Sequence, residues 1–468
     1  MKRENQKNPE SFRDSVATID ESGRRNWIYP TQPFGRFYNY RKYVSYLLLA
    51  ILFVTPFIRV NGRPLFLFDI LEGRFILFGK IFWPQDFFIF GLTMLTLIVL
   101  LVLFTVAFGR IFCGWICPQT IFMEMVFRRI EYWLEGSASK IRLRDQAPWN
   151  WEKIRIRVSK WVIFFGLSFI ISNILLAYII GTDKLYNIVT APVSQHLTGF
   201  IAMMVFTGVF FFIYLWFREQ ICIVVCPYGR LQGVMLDRNS IVVAYDYERG
   251  EPRGKVSKKE TENLGDCIDC HLCVKVCPTG IDIRNGTQME CVNCTACIDA
   301  CDSIMDKVNR PRGLIRYASE ENIAHKKPFR FSARLKAYSV ALFALTAMLF
   351  FILLSRPDVE TRVMRVSGQL YHIQEEEGTI SNLFNLHLVN KTFSDIPIEI
   401  ELLDREGRIE IIGDKDLTVK GESSTQATFF IYLPREQLDR RSTSLKIGIF
   451  SEGEQVGTTK TNFLSPVN

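Results

Sequence analysis

Cysteine is missing from both ends of the chain: all 12 lie between Cys113 and Cys301, and residues 302–468 have none. A secreted, disulfide-stapled protein would spread cysteines through its extracellular parts, so this pattern points to thiols kept reduced. Histidine is scarce, at five residues, and no two sit together in one predicted helix, so a bis-histidine haem is not indicated. There is no G-x-x-x-x-G-K-S/T loop and no G-x-G-x-x-G fingerprint, which argues against nucleotide-driven chemistry. Flavin binding stays open. Residues 1–42 offer no early apolar core and no small-residue cleavage site, so the first apolar run is expected to be an uncleaved anchor. The net charge of +8 forms no basic face on a soluble fold. Lys and Arg gather beside apolar runs instead, which suits anionic lipid headgroups better than nucleic acid.

What is abundant is phenylalanine, 38 residues, alongside 22% charged residues. Apolar and charged stretches are therefore segregated. Five apolar stretches, at 44–60, 87–108, 161–180, 197–217 and 338–354, are candidates to cross a bilayer core, which takes about 20 helical residues. The first contains Pro56 and Arg59 and is the weakest. Positive charge precedes the first stretch (Arg36, Arg41, Lys42), follows the second (Arg128 to Lys160) and precedes the fifth (Lys326 to Lys336), whereas Lys184 stands alone between the third and fourth. The positive-inside rule then gives five crossings, with the N-terminus inside and the C-terminus outside.

This divides the chain into an inner N-terminal segment (1–42), a membrane domain (43–230), an inner cysteine-rich domain (231–330), a last span (331–357) and an outer domain (358–468). The outer domain alternates apolar and polar residues at 383–388, 396–403, 427–433 and 445–450, with turn residues between, as an antiparallel β-sandwich does; 363–373 adds one or two strands. Residues 119–135 read as an amphipathic interfacial helix with Arg128, Arg129 and Glu131 on its polar side, and Trp149 and Trp151 read as interfacial anchors. Asn390-Lys-Thr392 matches a glycosylation sequon, a pattern too short to weigh.

Cys267-x2-Cys270-x2-Cys273-x3-Cys277-Pro278 is the bacterial ferredoxin run, and Cys291-x2-Cys294-x2-Cys297-x3-Cys301 repeats it with Asp302 in place of proline. Three close thiolates wrap one cubane and the distant fourth reaches the other. One [4Fe–4S] cluster is thus assigned to Cys267, Cys270, Cys273 and Cys301, and a second to Cys291, Cys294, Cys297 and Cys277. Zinc would call for closed sets built from paired C-x2-C knuckles, which two full runs do not resemble. His271 inside the first run reads as a neighbour of the cluster or an exposed side chain.

A weaker repeat lies nearer the membrane. Phe108-Gly-Arg110-Ile-Phe-Cys113-x3-Cys117-Pro118 resembles Phe217-Arg218-Glu-Gln-Ile-Cys222-x3-Cys226-Pro227, and each copy follows a span running inward. Proline should unwind the chain at Cys117 and Cys226. Four thiols at a membrane edge can bind a soft ion such as Cu(I), hold a further iron–sulfur centre or cycle through a disulfide. Arg110 and Arg218 are expected to favour thiolates. The plainer reading is apolar packing of small thiols, and it is also the reading for Met123, Met125, Met203 and Met204.

The ordered set of five spans, paired C-x3-C-P motifs, Cys113-Gly-Trp-Ile-Cys117-Pro-Gln, the double ferredoxin run and a terminal β-domain resembles the cbb3-type cytochrome c oxidase accessory proteins (the CcoG/FixG/RdxA family), which are membrane polyferredoxins. The resemblance implies a multi-pass protein of the bacterial inner membrane with a cytoplasmic 2×[4Fe–4S] ferredoxin-like α+β domain and a periplasmic, immunoglobulin-like all-β sandwich. It further implies reduction of Cu(II) to Cu(I) for oxidase assembly, with Cys113, Cys117, Cys222 and Cys226 as the redox or copper-binding thiols. Oxidase subunits or copper chaperones would then be partners, along with a cytoplasmic electron donor. The alternatives are a quinol-linked membrane dehydrogenase and a non-enzymatic assembly scaffold.

Overall fold

The computed structural model describes residues 17–466 apart from 20–21, 61, 71–72, 78–79, 83–86, 256–263, 356–358, 367, 369, 376–377, 393, 414–416, 422 and 439. The chain forms two compact units, one of residues 1–72 with 90–347 and one of 73–89 with 348–468.

Among the described residues four helices are long and apolar enough to cross a membrane: Phe87–Phe108, Trp151–Ile180, Leu197–Phe217 and Ala333–Leu354. The first expected stretch is not among them. It is a helix, Arg36–Val54, but it begins eight residues before the apolar run and ends before Pro56, which opens a 3-10 turn. Its charged first turns, with Arg36, Arg41 and Lys42, lower its apolarity, and its apolar part, from Val44 to Val54, spans roughly 16 Å. The third helix is longer than its hydropathy suggests. Asn150 caps it by accepting from the Lys153 N–H at 2.8 Å, so ten polar-rich residues precede the apolar segment. The Leu197–Phe212 helix continues as a π turn that stops at Arg218, whose φ is 54°.

The stretch after the first C-x3-C-P pair corrects the interfacial-helix expectation. It folds as a short helix, a π turn over Phe122–Phe127 and a helix over Arg128–Glu135. Arg128 is 1% exposed and Glu131 4%, so the side expected to face headgroups is largely buried. Only Arg129 of that side reaches outward, to the exposed Tyr46 hydroxyl.

The cysteine-rich domain is small and α+β. Val242–Tyr245 pairs antiparallel with Ile315–Ala318, and the Ala296–Lys307 helix packs against this ribbon. The N-terminal segment is fastened to the same domain: the Thr31 N–H bonds the Lys275 carbonyl at 2.8 Å, and Asp299 accepts from the N–H groups of Phe37 and Tyr38, at 3.1 and 2.7 Å. A carboxylate there both caps the first helix and meets its dipole.

In the second unit, the C-terminal domain is a sandwich of two antiparallel sheets. Arg408–Ile412, Ser424–Pro434, Thr379–Asn390 and Val359–Arg365 lie side by side in one, with His372–Gln374 also paired to Thr379–Asn390. Leu417–Val419, Ile396–Leu402, Ser442–Ser451 and Glu454–Leu464 form the other. Alternate residues face inward, as in Thr379–Asn390, and the core stacks Phe384 on Phe429 with centroids 5.8 Å apart. Asn390 of the sequon is fully buried and donates to the carbonyls of Ser394 and Val419, so it closes a loop and is no acceptor for a glycan. Replacing Phe384 by alanine leaves a cavity between the sheets; urea unfolding of residues 355–466 expressed alone, followed by circular dichroism, should show a loss of about 3–5 kcal/mol.

Candidate iron–sulfur and membrane-edge thiol sites

The two ferredoxin runs take up the same backbone course. Asp269 and His271 flank Cys270, and Asn293 and Thr295 flank Cys294; all four residues have left-handed φ, between 53° and 66°. Asp and Asn tolerate that region better than most residues, and the alternation curls each run around a hollow. A helix leaves each curl, at Leu272–Lys275 and Ala296–Lys307.

The eight cysteines are grouped around two hollows. Cys267, Cys270, Cys273 and Cys301 line one hollow, walled by Ile304, Met305, Leu314 and Ile315. Cys277, Cys291, Cys294 and Cys297 line another, walled by Val243, Ile281, Ile283 and Val292, with Cys273 on the wall between the two. All the cysteines are free thiols. Burial pushes Cys273, Cys291 and Cys301 up to about 12 and Cys294 up to about 11, so these sulfurs become thiolates only when a cationic core replaces their protons. Among the described residues no three His, Cys, Asp or Glu side chains converge as the ligands of a single metal ion do. Four thiols spread around an apolar hollow fit a polynuclear cluster and not zinc. His271 is exposed; its ring meets Arg284 at 2.8 Å and does not compete with the cysteines.

The membrane-edge pairs also come together. The proline effect appears in both copies: Cys117 has ψ 123° and Cys226 ψ 111°, each followed by proline opening the next helix. Cys113 feels Cys117 and Cys226, and Cys222 feels Cys117 and Cys113. Burial raises the Cys113 thiol and pushes Cys222 up to about 12, outweighing Arg110, which acts in the opposite direction on both. The expectation of arginine-stabilised thiolates is therefore overturned by desolvation. Arg218 is engaged elsewhere, on Glu131.

Three side chains and one glycine that the motifs did not single out complete this site. Gln232, fully buried, accepts from Cys113 Sγ at 3.2 Å and from Arg110 Nε at 2.9 Å. Arg110 also donates to the Met289 carbonyl, two residues before Cys291. Arg41, 2% exposed, donates to the Gly114 carbonyl at 2.6 Å. A Cβ on Gly114 would sit 2.4 Å from the Val292 carbonyl oxygen, so only glycine lets the Cys113–Cys117 turn lie flat on the loop that carries Cys291 and Cys294. Asn293, whose amide Oδ1 accepts from the Val243 N–H, holds that loop from the other side. A polar Gln in the otherwise mostly apolar 227–235 helix and a glycine between the paired cysteines were the only sequence signals.

The crossed ligand sets make a sharp prediction. A Cys277→Ser/Cys291→Ser double variant removes two ligands from one hollow and none from the other. It should keep about half of the iron and acid-labile sulfide and one EPR-active centre, whereas ligation within each run would cost both.

Comparison with known proteins agrees with this geometry. A family model described as a 4Fe-4S dicluster domain matches residues 217–320, a second, a 4Fe-4S binding domain, matches 90–140, and a third, an IG-like fold at the C-terminal of FixG, matches 349–466. The chain is 36% identical to protein RdxA of Cereibacter sphaeroides over 88% of its own length and 90% of the relative's. It is 34% identical to protein RdxB of the same organism over 86% of each chain. It is 38% identical to nitrogen fixation protein FixG of Rhizobium meliloti, over 64% of its length and 59% of the relative's. With its iron–sulfur cysteines, apolar helices and terminal sandwich, the chain belongs to the FixG/RdxA family of membrane iron–sulfur electron-transfer proteins.

Proposed function

We propose that this protein passes single electrons from its two four-cysteine sites to Cu(II) held at the membrane-edge thiols, supplying Cu(I) for assembly of a cbb3-type cytochrome c oxidase. The observation that carries the reading is the contact of Gly114 with Val292, which sets the Cys113–Cys117 turn directly on the Cys291–Cys297 loop. When bound, [4Fe–4S] groups store and release one electron each at a potential set by their surroundings. The order of contacts is then Cys267/Cys270/Cys273/Cys301, next the Cys277/Cys291/Cys294/Cys297 hollow sharing Cys273 on its wall, then Arg110, Gln232 and the paired thiols. One electron converts each Cu(II) to Cu(I). Cys113, Cys117, Cys222 and Cys226 are soft ligands suited to the product ion, and each gives up its proton on binding.

The proposal includes five crossings, with the ferredoxin domain cytoplasmic and the sandwich periplasmic, and parity and charge support it. Residues 31–38 are hydrogen-bonded to the ferredoxin domain, so the N-terminal segment and that domain share one side. Three of the apolar helices lie between them, an odd number. A crossing by the Arg36–Val54 helix makes the number even, and Lys/Arg-rich loops favour the shared side as cytoplasmic.

The decisive experiment is anaerobic mixing of Cu(II) with the dithionite-reduced, desalted protein, following cluster bleaching and Cu(I) chelation together. Wild type should yield Cu(I) in proportion to reduced clusters. A Cys113/Cys117/Cys222/Cys226→Ser variant, its clusters verified by EPR, should be slower by on the order of tenfold or more. Gly114→Val should slow bleaching while retaining the Cys267-side cluster. Equal rates in wild type and the four-serine variant would remove these thiols as the copper site.

A further inference from the structure

A cavity enclosing about 1140 Å3, counting its open mouth, lies outside both cysteine sites. Five aromatic side chains line it: Trp27 and Tyr29 from the N-terminal strap, Tyr132, Trp161 and Trp216. Trp161 and Trp216 belong to helices apolar enough to cross the membrane and lie near the ends from which the ferredoxin domain is reached, so the cavity sits at headgroup depth. The strap is held firmly. The Arg25 guanidinium lies 3.8 Å over Trp27 and 5.5 Å from Trp216, and it pairs with Glu219 at 2.9 Å.

The polar lining has a particular character. Arg128, Arg218 and Lys160 face the cavity, yet their charges are matched by Glu124, Glu219, Glu131 and Glu135, and Arg157 pairs with Asp145. Burial alone would raise Glu131, but Arg218, Lys160 and Arg128 hold it down to about 2, so the matching acid is ionised. The Nε atoms of Arg128 and Arg218 are fully buried, the latter 3.9 Å from Glu219, so these arginines are committed to the ion network and not to the cavity. A phosphate headgroup asks for unmatched positive charge, whereas a planar ring asks for aromatic walls.

We propose that this cavity binds the ring of a quinone or quinol drawn from the bilayer, between its aromatic walls, and that the quinol is the reductant of the ferredoxin domain. The inference rests on the electron-transfer reading above. Oxidation of the quinol breaks its two O–H bonds and leaves the quinone. Its two electrons pass singly, one to each four-cysteine site, and its two protons leave by the open side, where Asp145 accepts from the Tyr29 hydroxyl at 2.7 Å. The path is short in chain terms on both sides. Arg218 stands four residues before Cys222, and Ile28 on the strap packs where a Cβ on Gly280 would be, 2.8 Å away, three residues beyond Cys277.

The test uses the full chain in nanodiscs of zwitterionic lipid. Decylubiquinone titrated into it should quench tryptophan fluorescence saturably, and Trp27→Ala should weaken the apparent affinity about tenfold, with Trp27→Phe close to wild type. Anaerobic decylubiquinol should produce the reduced-cluster EPR signal in wild type and Trp27→Phe, and much less in Trp27→Ala. Unchanged affinity in Trp27→Ala, or no cluster reduction by quinol in the wild type, would overturn the proposal. So would displacement of the quinone by added phosphatidylglycerol, which would make this a lipid site. Dithionite-driven Cu(II) reduction bypasses the cavity; its loss in wild type would sink the electron-transfer reading on its own, whereas its persistence in Trp27→Ala separates the two failures.

Discussion

The segments around the paired C-x3-C-P motifs are organised by one buried ion network. Arg25, Arg128, Arg218 and Lys160 are matched by Glu124, Glu131, Glu135 and Glu219, drawn from the N-terminal strap, the segments that adjoin both C-x3-C-P copies and the Trp151–Ile180 helix. Arg128 joins the two copies, holding Glu124 at 2.7 Å and Glu219 at 3.4 Å, and the Arg218–Glu131 pair joins them again. Buried ion pairs add little net stability over an apolar core, because desolvation takes back most of the Coulomb gain. They do penalise every arrangement that leaves one charge unmatched, by about 3–5 kcal/mol for a lost partner. The network therefore acts on register: it admits the arrangement in which strap, first copy and second copy meet.

Once the two copies are fixed, packing against the ferredoxin loops follows from small residues at two points. Gly114 allows the first turn to touch Val292, and Gly229 allows the helix after the second pair to approach the Cys222 carbonyl and Arg110, where a Cβ would lie 2.6 and 2.9 Å away. Arg110 then serves both sides, bonded to Gln232 beside Cys113 and to the Met289 carbonyl ahead of Cys291. The two copies are thus not equivalent: the first meets the ferredoxin loop at Val292 through Gly114, while the second meets it at Met289 through Gly233 and, through Arg218 and Glu219, contributes to the ionic frame.

Much of this was legible in the cysteine spacing, because ligand geometry imposes it locally. The grouping of the cysteines around two hollows, the unwinding at Cys117 and Cys226, and most strands of the sandwich all follow from short-range rules applied to a few residues. The strands at Arg408–Ile412, Leu417–Val419 and Glu454–Leu464 were not anticipated, since they are short or their alternation is diluted by charged or threonine positions. What spacing could not show was which charges would be buried. Arg128 and Glu131 look like the wet side of an interfacial helix until Glu219 and Arg218, nearly ninety residues away, are brought against them. The apolar run at 44–60 likewise did not show that the first helix begins at Arg36, or that Arg41 within it is a buried donor to Gly114.

The same physics governs both kinds of thiol site, and it constrains how they work. Cys113 and Cys222 at the membrane edge, like Cys273, Cys291 and Cys301 in the hollows, are raised by burial, so a bare thiolate is disfavoured at each. Only a cation that neutralises several sulfurs at once reverses this, and it does so by displacing protons. A site of this kind discriminates by softness more than by charge, because hard ions gain too little from sulfur to offset the lost protons. If copper is the acceptor, as proposed, such a site would favour the reduced ion, because sulfur ligands suit soft Cu(I) better than Cu(II).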